Sequence, residues 1–151
     1  MKISGGSLKG RKIGSRKLFS GKNIAGGLRP TSSKVREALF DILRNEIVDA
    51  SFLDLYAGTG TVGIEALSRG AEKTFLVEQD ALHFSHLKES VDRMDLDGRA
   101  VVLLMQVMDF LENASASGLT FNVFPGSISA GTLLCGATGI LSISISDSGV
   151  S

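Results

Sequence analysis

No acidic residue occurs among the first 36 of the 151 residues, although that stretch carries ten of the sixteen lysines and arginines: Lys2, Lys9, Arg11, Lys12, Arg16, Lys17, Lys22, Arg29, Lys34 and Arg36. A formal net charge of zero therefore hides a one-sided distribution, and such segregation points to a polyanion partner rather than to a merely solvated tail. Cysteine is nearly missing as well. Cys135 stands alone, which excludes an internal disulfide framework. With no Cys/His spacing around it there is no zinc signature either, and it reads as a small apolar filler. The two histidines, His83 and His86, lie three apart with no third ligand candidate near them, so they read as exposed helix positions and no metal is expected. A membrane span is not expected, because Ser, Gly and Thr make up about half of the longest uncharged run, short of the ~20 predominantly apolar residues required. The charged, glycine-rich start does not read as a signal peptide, and a cytoplasmic location is the default. Hydrophobic residues at 43% and charged residues at 21% describe one ordinary globular domain.

What is present is organised around residues 52–71, FLDLYAGTGTVGIEALSRGA, read as strand, glycine turn and helix in succession. Phe52, Leu53 and Leu55 form a short apolar run broken by Asp54, and Gly58, Gly60 and Gly63 complete a GxGxxG pattern. Ile64, Ala66 and Leu67 supply the apolar side of the helix, and Gly70 falls where a left-handed residue ends it. The glycines suit a dinucleotide or S-adenosyl-L-methionine (SAM) alike. Asp54 argues for SAM: a pyrophosphate would meet an unscreened carboxylate, whereas the ammonium and sulfonium of SAM are attracted to one. Glu78 follows the glycines by about twenty residues, the interval at which nucleotide-binding α/β folds place an acid for ribose hydroxyls.

The rest of the chain alternates in the same way. After Pro30, Val35, Ala38, Leu39, Ile42, Leu43 and Ile47 recur at helical spacing behind Thr31, Ser32 and Ser33 as candidate caps, which predicts an amphipathic helix. Residues 74–78 predict a second strand. A helix from 81 to about 94 is expected to bury Leu82, Leu87, Val91 and Met94. The apolar run 100–107 predicts a strand buried on both faces. Asp109 after it would then stand level with Asp54 and Glu78 at the ligand-binding edge. Low aromatic content and repeated glycines make the basic start a flexible or hairpin-like arm.

The stretches ISGGSLKGRKI, GLRPTSSKVREALFDIL, DLYAGTG, GIEALSRGA and VEQD together resemble the bacterial family of SAM-dependent methyltransferases that modify N2 of a guanine in 16S ribosomal RNA. The likeness spans roughly residues 1–123. It implies an α/β, Rossmann-like SAM-binding sheet, with Asp54, Gly58, Gly60 and Glu78 at the methionine and ribose parts of SAM and Asp109 at the adenine. It also implies that the basic arm, with Lys9, Arg11, Lys12, Arg29 and Arg36, contacts 16S ribosomal RNA or a small-subunit assembly intermediate.

The chain departs from that family where the chemistry belongs. After a fourth strand such enzymes carry an Asp or Asn, two prolines and an aromatic residue, typically DPPY. Here LTFNV, at 119–123, is followed by FPGSISAGTLLCG, and no catalytic residue can be assigned. Residues 124–151 hold seven serines, five glycines and one charged residue, Asp147, a composition break that suggests a frameshift or truncation after about Val123. The alternative is a divergent C-terminus in which SISIS, 142–146, forms a short alternating strand. The expected organisation is thus a basic arm (1–30), a partial SAM-binding domain (31–123) and an aberrant tail (124–151), with an incomplete sheet. Two other functions stay open: a non-catalytic RNA- or nucleotide-binding fragment and, against the sign of Asp54, an NAD-dependent oxidoreductase.

Overall fold

A computed structural model describes residues 1–14, 31–116, 121–123, 127–128 and 142–145. Three parallel strands form its centre: β1 (Ser51–Asp54), β2 (Lys73–Glu78) and β3 (Ala100–Leu104), joined through helices α2 (Thr61–Ser68) and α3 (Ala81–Arg93). Helix α1 (Ser33–Leu43) and a 3-10 turn (Arg44–Ile47) precede β1, and α4 (Val107–Ala116) follows β3.

The strand sequences explain the layering, because successive side chains leave a strand on opposite sides. Phe52 and Leu76 enter one core with Phe40, Ile64, Leu67, Leu87 and Val91, while Leu53, Leu55 and Val77 enter a second with Leu111 and Ala114 of α4. This is the Rossmann-like arrangement, with helices on both faces of the parallel strands. Helix α2 is buried over its whole length, so it has no solvent face for a polar residue. Asp80 caps α3, its carboxylate accepting the N–H of Leu82 and of His83, each at 2.9 Å. Among the described residues no helix is long and apolar enough to cross a membrane.

Beyond β1 the sheet is not parallel. Its order is β3-β2-β1-β6-β4-β5, with β4 (Phe121–Val123), β5 (Ser127–Ile128) and β6 (Ser142–Ile145). β6 runs antiparallel to both β1 and β4. The sheet thus runs past a fourth strand, and SISIS forms the short strand given as the alternative. The N–H and C=O groups on the open side of β1 need partners, and the SISI segment supplies them.

Four further expectations change. Helix α1 is rotated from its predicted apolar stripe: Val35 and Ile42 are exposed, while Arg36 and Phe40 are buried. Leu82 is also exposed, although Leu87, Val91 and Met94 are buried as expected. β3 ends at Leu104, and as the edge strand it is only partly buried. His83, expected on the surface, is buried against Glu78 and Asp80.

The first fourteen residues form a hairpin. Ile3 donates its N–H to Arg11 at 3.0 Å, Gly10 to Ile3 at 2.9 Å and Ile13 to Met1 at 2.8 Å. Ile3 and Ile13 belong to the main core, so this part of the arm is hairpin-like but packed.

Candidate functional site

The carboxyl ends of β1 and β2 carry Asp54 and Glu78. Between them runs the glycine turn. Gly60, at φ +72°, opens α2 as its N-cap without any side-chain cap bond. A Cβ on Gly60 would stand 2.1 Å from Leu87 Cδ1, and one on Gly63 would stand 2.1 Å from Leu76 Cδ2. The third glycine of the pattern thus lets the helix lie close on β2, and the second sets the turn against α3.

Glu78 ties the two loops together. Its Oε2 accepts the N–H of Gly58 at 2.8 Å and its Oε1 that of Asp80 at 2.8 Å. A carboxylate offers about four acceptor positions, so capacity remains for two hydroxyls. Asp54 accepts the Tyr56 N–H at 3.3 Å. Burial pushes its carboxyl up to about 6, with the Glu78 charge adding to the rise and N–H donors from Tyr56 and Gly63 opposing it. Among the described residues no lysine or arginine forms an ion pair with Asp54 or Glu78, the nearest basic group being His83 Nδ1, 3.9 Å from Glu78 Oε1. Two neighbouring carboxylates with no lysine or arginine to neutralise them favour a cation between them.

Asp109 follows β3 from inside a helix rather than directly past a strand end. It lies exposed in the first turn of α4, three residues beyond the Gln106 that precedes the helix, where its charge suits the helix dipole. No ion pair or hydrogen bond joins it to Asp54 or Glu78 among the described residues.

Of the five basic candidates, Lys9, Arg11 and Lys12 are exposed on the hairpin, whereas Arg29 lies outside the described residues. Arg36 is a correction. It is 1% exposed, with Nε 3.2 Å from Glu65 Oε2, Nη1 donating to the Thr31 carbonyl at 2.8 Å and Nη2 to Lys2 at 3.1 Å. A guanidinium satisfied by interior acceptors cannot also face phosphate. Its partner Glu65 is the polar residue that sequence reasoning missed: it sits among Ile64, Ala66 and Leu67, and helical periodicity alone would turn it outward. A buried arginine requires an acid, but the apolar pattern of α1 does not place Arg36 on the buried face, so the sequence carries no signal for Glu65.

Residues 1–124 match the family described as conserved hypothetical protein 95. The chain is 39% identical over 111 residues to Ribosomal RNA small subunit methyltransferase D of Escherichia coli (strain K12), covering 74% of this chain and 52% of that protein. It is 42% identical over 94 residues to the protein of the same name from Buchnera aphidicola subsp. Acyrthosiphon pisum (strain APS), covering 62% and 46%. A solved structure of a hypothetical protein from Thermus thermophilus superposes with a TM-score of 0.64 at 36% identity, over 79% of this chain and 63% of that one. The chain thus spans about half the length of the curated relatives it matches.

Proposed function

From the premise that the chain belongs to the conserved hypothetical protein 95 family, we propose that it binds SAM at the Asp54–Glu78 edge. We further propose that it engages small-subunit ribosomal RNA through its basic N-terminal segment, in the manner of a methyltransferase acting on N2 of a guanine in 16S RNA. The names of its relatives supply the reaction class and the ribosomal substrate, and a ribosomal substrate implies action in the cytoplasm.

The observation that carries the SAM reading is the pair of carboxylates around a helix N-terminus, neither of them ion-paired to a lysine or arginine among the described residues. Asp54 would hold the α-ammonium group and Glu78 the ribose hydroxyls. The Gly58–Gly60 turn would let the backbone approach, and Asp109 would lie at the adenine side. When bound, SAM supplies an electrophilic methyl on sulfur. The chain's own contribution is to orient the cofactor and to hold the RNA. A pyrophosphate at the same edge would be repelled, which disfavours a dinucleotide.

A second reading, a non-catalytic SAM- and RNA-binding chain, is favoured by one observation. No DPPY-like element follows Val123. A guanine amino group is a poor nucleophile because its lone pair is delocalised, and acceptors plus an aromatic platform are needed to position it. We therefore place this chain's activity as binding with little methyl transfer. Calorimetric titration with SAM and with NAD tests the edge: micromolar-range heat with SAM and none with NAD is expected, and the reverse preference would remove the assignment. A methyl-transfer assay on small-subunit RNA then separates enzyme from binder.

A further inference from the structure

Three of the sequence stretches that carry the family likeness lie far apart in the chain, yet they meet at one buried carboxylate. Glu65, on α2, is fully buried. Its Oε2 accepts the Ser4 N–H at 3.2 Å and Arg36 Nε at 3.2 Å. Its Oε1 accepts the Ser4 hydroxyl together with Arg69 Nε at 3.1 Å and Nη2 at 3.0 Å. Ser4 belongs to ISGGS, Arg36 to the α1 stretch and Arg69 to GIEALSRGA. Burial alone would raise the Glu65 carboxyl, but the donors from Ser4, Arg69 and Arg36 together hold it below the ordinary carboxylate range.

The surroundings are built to the same end. Arg69 lies over the Phe40 ring of α1 at 5.0 Å. Ser68 receives the Ser7 N–H on its carbonyl at 2.7 Å and the Leu8 N–H on its hydroxyl at 2.9 Å. A Cβ on Gly6 would stand 1.8 Å from the Ser68 oxygen, and one on Gly5 would stand 2.7 Å from the Arg69 guanidinium. The GlyGly pair thus lets the hairpin cross the end of α2 at backbone contact.

A buried ion pair contributes little net stability compared with apolar packing of the same volume, and its best-attested use is to fix register. Helix α2 is the helix that opens at the glycine turn. We propose that Glu65 is a positioning residue, holding the basic hairpin and α1 in fixed register on α2 so that RNA bound by Lys9, Arg11 and Lys12 meets the Asp54–Glu78 edge in a defined relation. The RNA part of this inference rests on the function proposed above; the hold on the hairpin does not.

The test uses the full 151-residue chain with Glu65→Gln and the milder Ser4→Ala. Three quantities are measured: amide exchange of Ile3, Gly10 and Ile13 against amides of β2, affinity and salt slope for transcribed small-subunit RNA, and SAM affinity. In Glu65→Gln the hairpin amides should exchange on the order of tenfold faster or more, and by a larger factor than the β2 amides. RNA affinity should fall by about tenfold with a shallower salt slope, and SAM affinity should stay within about twofold. Ser4→Ala should move the same quantities in the same direction by less, and it decides the matter if Glu65→Gln does not fold. Unchanged hairpin exchange in both variants overturns the proposal. Faster exchange with wild-type RNA affinity and slope overturns its positioning role, as does an equal loss of SAM and RNA affinity. Failure of the unmodified chain to bind RNA would instead refute the functional reading, with the exchange data still deciding whether Glu65 holds the hairpin.

Discussion

Asp54 carries a cost in the free protein that a ligand can offset. Its carboxyl is raised to about 6 in the fold, chiefly by burial, against roughly 3.9 in an unfolded chain. Between those values the folded state binds more protons than the unfolded one, so this group's contribution to stability falls as pH rises through that window and is unfavourable above it. Asp54→Asn should accordingly leave thermal stability at pH 7 unchanged or higher, while SAM binding weakens by ~1–3 kcal/mol, the range for a hydrogen bond to a charged group. A cationic ligand favours the ionised carboxylate, so SAM affinity of the unmodified chain should rise from pH 5 to pH 7, with proton release on binding near pH 6. Calorimetry in two buffers of different ionisation enthalpy reads both effects; a pH-independent affinity would mean that Asp54 does not face the ligand's charge. Gly63 illustrates the opposite case, since its value is steric. Gly63→Ala places a methyl 2.1 Å from Leu76 Cδ2, and the shift this forces in a packed core should cost about 1–3 kcal/mol in a urea titration.

At the level of elements, the basic segment divides into cations that can meet phosphate and one that cannot. Replacing Lys9, Arg11 and Lys12 together by Gln should reduce the magnitude of the log-log salt slope for RNA binding by up to about 2–3, at ~0.7–0.9 per phosphate contact. Fold stability should be nearly unaffected, because all three are exposed. Arg36→Gln should show the converse, a stability loss approaching about 3–5 kcal/mol from breaking a buried pair, with no direct change in slope per remaining contact. The same division shows what the sequence made legible. The strand-turn-helix at the centre could be read because β1, the glycines and Ile64, Ala66 and Leu67 obey short-range rules. Glu78 could be placed because its distance from the glycines is set by one βα unit. The rotation of α1 was illegible, because Val35 and Ile42 are as apolar as Phe40. Only a long-range partner, Glu65, makes the face containing an arginine the buried one. β3 was overextended because periodicity cannot separate the end of a strand, Leu104, from the start of the helix at Val107. With that boundary Asp109 falls in the first turn of α4 rather than just past a strand end.

For the whole molecule, the sheet beyond β1 decides whether the SAM edge stands on a stable base. β6 lies between β1 and β4, so cutting the chain after Val123 would leave one long side of β1 without hydrogen-bond partners, an edge that templates association. The shortened chain should therefore aggregate and lose cooperative unfolding, as read by light scattering and calorimetry. The same tail that supplies β6 carries no DPPY-like element. Residues 124–151 include one charged side chain, Asp147, and Phe124 as their sole aromatic, 23 positions apart, in place of the contiguous acid-Pro-Pro-aromatic element. Binding of SAM and RNA on one surface, as proposed, would bring the reactants near each other, but proximity without alignment leaves most of the barrier in place, and lost positioning commonly costs a factor of about 10² or more. With tritiated SAM and small-subunit RNA lacking the modification, the intact chain should thus show saturable binding of both ligands and methyl incorporation close to the protein-free control. Incorporation at many turnovers per hour would mean that a base-positioning site exists elsewhere in the chain, and that the Asp54–Glu78 edge is half of a complete active site.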